Sequence, residues 1–285
     1  MKTVNSLSGG HTSSYLAVHY PSDLEIFSMV CIDDHNVGRW LKNNKDLLRY
    51  ANEKLDMYIP FYGEFKATAE DPIIIQTMMN LEQKLGREIV WVRGDSFEKM
   101  IQNKKGLPNQ QWRFCTTILK LIPIFEYCYA RYGDNVLMRL GIRYDELERA
   151  NTIDNTFDFP FSCNLHGQKR QNWKKVEWRN VEFPLIDNKI FHKQIHDYWR
   201  DNTDVMFADD SNCQMCFWKD YQQLRKNFDN DRTKPIMQWA GVTEDIKGAT
   251  FKKEMSILDT SRIGLQQSFV FGTGAEGCKS GWCRG

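Results

Sequence analysis

Ser8-Gly9-Gly10-His11-Thr12-Ser13 sets two glycines and three hydroxyls between an apolar run, Val4 to Leu7, and an apolar-periodic run through Tyr15, Leu16 and Val18. The order reads as strand, glycine turn, helix. Such a turn presents backbone N–H groups at a helix N-terminus, where the macrodipole also favours negative charge. Gly9 and Gly10 let the backbone approach an anion, and Ser8, Thr12, Ser13 and Ser14 add donors. This chemistry predicts a phosphate or pyrophosphate cradle. The plainer alternative is an ordinary turn with Thr12 or Ser13 as N-cap. The spacing fits neither Gly-x-Gly-x-x-Gly nor the Gly…Gly-Lys-Ser/Thr loop.

Other residues have types suited to the same ligand. Arg113 and Lys120 flank the start of a helical pattern, and Arg143 and Arg149 follow an apolar run. Guanidinium groups hold phosphate or sulfate bidentately. Asp33 and Asp34 end a strand-like run, where they suit a ribose, a base edge or Mg²⁺, and equally a turn. Cys213-x-x-Cys216 can place two thiolates on one metal or cluster. His192 and His196 are four apart on a helical pattern. That spacing can hold a metal, but with no third ligand nearby it reads as surface or packing.

The glycine turn resembles the PP-loop of the ATP-pyrophosphatase superfamily, S-G-G-x-[DT]-S. With Thr before the last Ser, it is similar to the branch of phosphoadenosine phosphosulfate (PAPS) reductase-like proteins. Three segments carry the same resemblance: Arg113-Phe114-Cys115 through Lys120 to Pro123, Gly141-Ile142-Arg143-Tyr144-Asp145-Glu146, and Phe183-Pro184-Leu185-Ile186-Asp187. It implies an adenine nucleotide α-hydrolase-like fold. It also implies nucleotide binding by Ser8, Gly9, Gly10, His11, Thr12 and Ser13 with Asp33, Arg113, Lys120 and Arg143. The ligand is then ATP, or PAPS/APS, with Mg²⁺.

The resemblance adds Cys115 to Cys213 and Cys216 as ligands of a [4Fe–4S] cluster, with zinc as the rival metal. In iron–sulfur members a second Cys follows the first; here Thr116 stands there. Cys163 or His166 can supply the fourth ligand, or the fourth iron position is open. Cys278 and Cys283 lie in a tail with five Gly among residues 272 to 285. They are candidates for catalysis by persulfide relay or a resolving disulfide, and equally for metal ligation or no role. The E-C-G-[IL]-H tail of thioredoxin-linked PAPS reductases is absent.

The elements that must hold these groups alternate. Strand-like runs are Val4 to Leu7, Leu24 to Ile32, Met57 to Pro60, Ile89 to Val92, Val136 to Ile142 and Val181 to Ile186. Helical patterns span Arg39 to Leu55, Asp71 to Lys84, Thr116 to Arg131 and Lys189 to Trp199. This βαβ order predicts an α/β, Rossmann-like doubly wound, mostly parallel sheet with helices on both faces. Residues 1–200 form the expected nucleotide-binding domain. Residues 201–285 form a mainly helical, Cys-containing C-terminal region. Asn151 to Trp178 reads as a polar loop. Ligands on such sheets bind beyond the carboxyl ends of the strands, where the turn, Asp33 and Arg143 all fall.

The 285 residues carry a net charge of +1, so the whole chain offers no electrostatic case for nucleic acid. A local one exists: Lys169, Arg170, Lys174, Lys175 and Arg179 interleave with Trp173 and Trp178, a pattern that tracks a phosphate backbone or else a solvated face with packed indoles. No apolar run reaches spanning length, so no membrane association and a cytoplasmic location are expected. The eight cysteines then favour metal or redox chemistry over a disulfide framework. The first functional expectation is an adenine-nucleotide-dependent sulfurtransferase. It adenylylates an acceptor, releases pyrophosphate, and takes sulfur from a cysteine desulfurase or thiol donor. Nucleic acid is one acceptor class. The alternatives are a PAPS/APS reductase releasing sulfite and a nucleotide-sensing, partner-binding protein without catalysis.

Overall fold

The computed structural model describes residues 1–163 and 171–264, with 159–163 and 171–173 described by their backbone. The chain opens with β1 (Lys2–Leu7), α1 (His11–His19) and β2 (Leu24–Met29). The run expected to continue to Ile32 breaks at Val30. β3 (Cys31–Ile32) leaves the sheet, and the Val30 carbonyl accepts from Ala69 N–H at 3.0 Å. Arg39 to Leu55 is likewise two helices, α2 (Arg39–Asn43) and α3 (Lys45–Tyr58), parted at Asn44, whose N–H closes back on Trp40 and Leu41 carbonyls. The strand expected at Met57 to Pro60 is the end of α3 followed by a 3₁₀ turn at Pro60–Tyr62.

β4 (Ala67–Thr68) pairs antiparallel with β3. Then come α4 (Ile73–Leu85), β5 (Ile89–Arg93), α5 (Phe97–Lys104), α6 (Phe114–Thr116), a π-helical turn at Thr117–Leu121, α7 (Ile122–Tyr132) and β6 (Val136–Leu140). A 3₁₀ turn (Tyr144–Glu146) leads to α8 (Leu147–Ala150). The expected polar loop instead holds a hairpin, β7 (Thr156–Cys163) and β8 (Gln171–Glu177), antiparallel. β9 (Asn180–Glu182) is shorter than expected. Pro184 begins a helix, α9 (Pro184–Asp187), where its fixed φ suits the first turn. The described chain ends with α10 (His192–Asp201), α11 (Tyr221–Lys226), α12 (Lys234–Lys247) and α13 (Ile257–Thr260).

Five strands form an all-parallel sheet in the order β5-β2-β1-β6-β9. Alternate residues serve opposite faces. Phe27, Met29 and Trp91 pack on one side with Leu16, Met78 and Ile195, while Ile26, Val90 and Met138 pack on the other with Phe125 and Trp178. With both faces covered, β5 reads Ile-Val-Trp-Val-Arg, buried throughout. This is the expected α/β, Rossmann-like architecture. A third core joins Val30, Phe97 and Leu119 to Met215, Leu224, Met237 and Phe251, so the C-terminal helices pack beside the carboxyl ends of the strands. Among the described residues no helix is long and apolar enough to cross a membrane.

Candidate functional site: a cavity at the switch point of the sheet

β1 has β2 on one side and β6 on the other, and the connections run out in opposite directions from it. A doubly wound sheet leaves a crevice beyond the carboxyl end of such a strand. The Ser8–Ser13 turn occupies that end. A cavity of about 360 Å³ opens there, lined by the turn, the Arg143 segment, α10, residues 208–213 and the Cys115 and Cys216 segments.

The turn is held by its own hydroxyls. Ser8 N–H donates to Ser13 Oγ at 3.1 Å, Ser13 Oγ donates to Gly10 O at 3.2 Å, and the Ser8 and Ser13 hydroxyls lie 3.1 Å apart. Gly9 has φ +78°, the left-handed region, and a Cβ there would stand 2.7 Å from Ile74 Cγ2. The N-cap is Gly10, not Thr12 or Ser13, and its side-chain cap bond is absent. The first N–H groups of α1 therefore depend on partners outside the helix. Gly141 lets β6 approach closely: a Cβ there would meet Ser13 Cα at 3.0 Å and Ser13 N at 3.1 Å.

Arg143 lies over the turn, its Nη1 donating to Thr12 Oγ1 at 3.0 Å while Nε reaches Asp145 at 3.2 Å. Arg113, Lys120 and Arg149 also line the cavity. Lys120 sits on the π-helical turn. Pro123 has no N–H to offer Leu119 O, four residues back, which instead accepts from Ser28 Oγ at 3.1 Å and pins the turn to β2. Lys120 Nζ lies 2.6 Å from Oε1 of fully buried Glu70. Burial raises the Glu70 carboxyl above its ordinary range, and Lys120 and Lys219 oppose that.

The expected thiols converge. Cys115, Cys213 and Cys216 all line the cavity. The Cys-x-x-Cys turn is shaped by Cys216 N–H donating to Cys213 O at 3.0 Å, and it is docked on the segment just after β4 by Gln214 N–H to Ala69 O at 2.8 Å. Burial pushes the Cys213 thiol well above its usual value, and nearby Glu70 adds to this; burial raises Cys115 too. Sulfur is the donor set that iron–sulfur clusters and zinc prefer. Among the described residues, however, no three His, Cys, Asp or Glu groups are arranged to hold a metal. The Cys163 side chain, His166, Cys278 and Cys283 lie outside what the structure describes.

Two expected ligands stand apart from the cavity wall. Gly9 faces Ile74 and acts through its conformation. Asp33 is exposed, and its backbone N–H donates to Glu98 Oε1 at 3.0 Å. Other residues enter that sequence reading had set aside or missed. His192 and His196 both line the cavity; their four-residue spacing was the available signal. Residues 208–213 close over the turn, with Ser211 Oγ 2.7 Å from where a Gly10 Cβ would be. Asp210 on that segment pairs with fully buried Lys219 at 2.6 Å. No local sequence signal marks that approach. The basic, aromatic stretch divides: Trp178 and Arg179 are buried, with Arg179 Nη2 on Asp154 O at 3.1 Å, whereas Lys174 and Lys175 are exposed.

No family model matches the chain, and no solved structure matches it. A 77-residue stretch is 31% identical to an uncharacterized protein of Methanocaldococcus jannaschii, spanning 27% of this chain and 16% of that protein.

Proposed function

We propose that this chain is an adenine-nucleotide-dependent sulfurtransferase of the PAPS reductase-like kind, on an adenine nucleotide α-hydrolase-like fold. One observation carries the reading: a glycine turn with Arg143 above it shares a cavity with three thiols. The turn and Arg143 hold the outer phosphates of ATP, with Arg113 and Lys120 on the same wall. An acceptor oxygen attacks the α-phosphorus, its bond to phosphorus forms, and the bond to pyrophosphate breaks. Backbone N–H groups and Arg143 stabilise the charge that grows on pyrophosphate. The outer sulfur of a donor persulfide then displaces AMP from the acceptor. A second thiol attacks the inner sulfur, leaves as a disulfide with the donor and frees the thiolated acceptor.

Cys115, Cys213 and Cys216 are the residues that would bind a cluster or zinc, with Cys163 or His166 as the fourth ligand or, on a cluster, the fourth iron position left open. A cluster with its fourth position open would supply a site for labile sulfide; none of the steps above runs through it. The test is pyrophosphate release from ATP, assayed with hydroxyl and carbonyl acceptors, including RNA. Acceptor-dependent release supports the reading. Tight ATP binding with no release for any acceptor favours a sensor, and sulfite from PAPS with a dithiol favours a reductase.

A further inference from the structure

Three groups at the mouth of the cavity are left over when the turn and Arg143 have been assigned to the nucleotide. Arg149, His192 and His196 line it together, half-buried or exposed. The two imidazoles are one helical turn apart on α10, with ring centroids 6.2 Å apart and planes 30° from parallel. Ile195 between them is buried in the core, which fixes the rotation of the helix.

The wall is also fixed in place. Tyr144 N–H donates to Ile190 O at 3.0 Å, and the Tyr144 ring meets Phe191 edge-on at 5.1 Å. At the other end Trp199 Nε1 donates to His11 O at 2.9 Å. The helix that carries both histidines is thus tied to the Arg143 segment and to the glycine turn at once.

The wall offers an anion a set of N–H donors. Glu146 is shared by Arg149 at 3.3 Å and Arg143 at 3.5 Å, and Arg143 also reaches Asp145 at 3.2 Å, so two guanidinium forks face two acids. Asp209 and Asp210 face from the 208–213 segment, and Asp210 is engaged by Lys219. His11, from the turn, is stacked on Phe207 at 4.0 Å. An imidazole offers one N–H donor when neutral and two when protonated, and a guanidinium offers a fork.

We propose that Arg149, His192 and His196 form a second anion subsite, at the mouth, which takes a phosphate group carried by the acceptor. The inference rests on the acceptor-activation reading of the cavity. A phosphate held there leaves the rest of the acceptor directed inward, toward the nucleotide on the turn. The phosphate is either the monoester of a small metabolite or the diester of an RNA strand.

The test uses calorimetry on the full chain saturated with α,β-methylene-ATP. The probes are ribose 5-phosphate, ribose, and a short RNA lacking terminal phosphates. Ribose 5-phosphate or the RNA binding at least about tenfold more tightly than ribose is the expected result, the scale of one lost charge-assisted contact. Which of the two does so identifies the source of the phosphate. The H192Q/H196Q variant, and each single variant, are expected to erase that preference. Equal binding of all three probes to the unsubstituted protein overturns the proposal without any variant being needed, as does an unchanged preference in H192Q/H196Q. Phosphate-dependent binding in a protein that fails to bind the ATP analogue instead overturns the nucleotide reading and leaves the subsite standing.

Discussion

The two walls of the cavity are built in opposite ways. The glycine-turn wall is local: Ser8, Gly10 and Ser13 bond to one another within six residues, and the turn lines the cavity with backbone and short hydroxyl side chains. The thiol wall is assembled over long distances. Cys115 arrives on α6, just before the π-helical turn, Cys213 and Cys216 arrive after α10, and two ion pairs distant in sequence, Lys120 with buried Glu70 and buried Lys219 with Asp210, anchor the same region. A local site tolerates change elsewhere in the fold. A site whose charges are buried at long range ties chemistry to global stability.

That contrast predicts the largest effect away from any ligand. Glu70→Ala leaves Lys120 beside an emptied, fully buried position. Removing one partner of a buried pair costs about 3–5 kcal/mol, a large part of the stability of an ordinary domain. Denaturant unfolding should show this loss, and Glu70→Gln should recover part of it. A near-neutral Glu70→Ala would mean that the thiol wall is not tied to the core in this way.

Next in size is Arg143→Ala. It removes the contact to Thr12 and a charged donor for phosphate, which predicts about 2–3 kcal/mol lost in ATP affinity, or roughly 100-fold. Its effect on unfolding should stay small, since Arg143 is partly exposed. Calorimetric titration together with a melting curve separates the two. Gly141→Ala follows. Its Cβ meets backbone atoms of Ser13, which cannot swing away, and overpacking of this kind costs about 1–3 kcal/mol. The loss should appear in ATP binding and in the melting midpoint together.

Legibility followed the same division. The turn, its flanking elements and the parallel sheet could be read from sequence because they depend on neighbouring residues: glycines, hydroxyls and period-two or helical apolar patterns. Arg143 and Cys213-x-x-Cys216 were legible as types and spacings, and both reach the cavity. What was hidden depends on tertiary placement. Asp33 reads equally as a ligand or a turn former because it ends a strand; it is exposed and stands outside the residues that line the cavity, with Glu98, from a helix far along the chain, holding its backbone N–H. His192 and His196 read as surface because nothing local says that α10 packs along α1. The hairpin was legible in part, since β7 repeats Phe at 157, 159 and 161, but the polar residues of β8 and its flanks outweighed that alternation, and the break at Val30 was hidden by the apolar run Met29 to Ile32.

The thiols give a smaller, pH-dependent effect. Burial holds Cys213 and Cys115 protonated beyond the value of about 8.5 expected for a thiol in an unfolded chain. Below that pH both folded and unfolded states keep the proton. Above it the unfolded chain ionises first, so the metal-free protein should lose stability as pH rises past about 8.5. Zinc or a cluster on the thiolates should reverse the slope, because binding needs the deprotonated form. Denaturation at pH 7 and pH 9.5, with and without zinc, checks the sign. Cys31 and Cys128, pushed up to about 12 by burial, should resist alkylation in the folded protein throughout.

The smallest effect belongs to the hairpin, outside both walls. Lys175 is 65% exposed and stands 4.0 Å from Asp154, the limit of an ion pair, so Lys175→Ala should change stability by less than about 0.5 kcal/mol. Arg179, in the same basic stretch, is buried over the Trp178 ring at 4.7 Å, and burial lowers it to about 10. Arg179→Ala should therefore destabilise several-fold more than Lys175→Ala. If the stretch served mainly to hold a phosphate backbone, the two substitutions would weaken RNA binding alike and leave unfolding unchanged. The packing of Trp178 and Arg179 predicts the reverse: unfolding separates the two variants, and among the described residues of the stretch the exposed Lys174 and Lys175 are the ones placed to change salt-dependent binding.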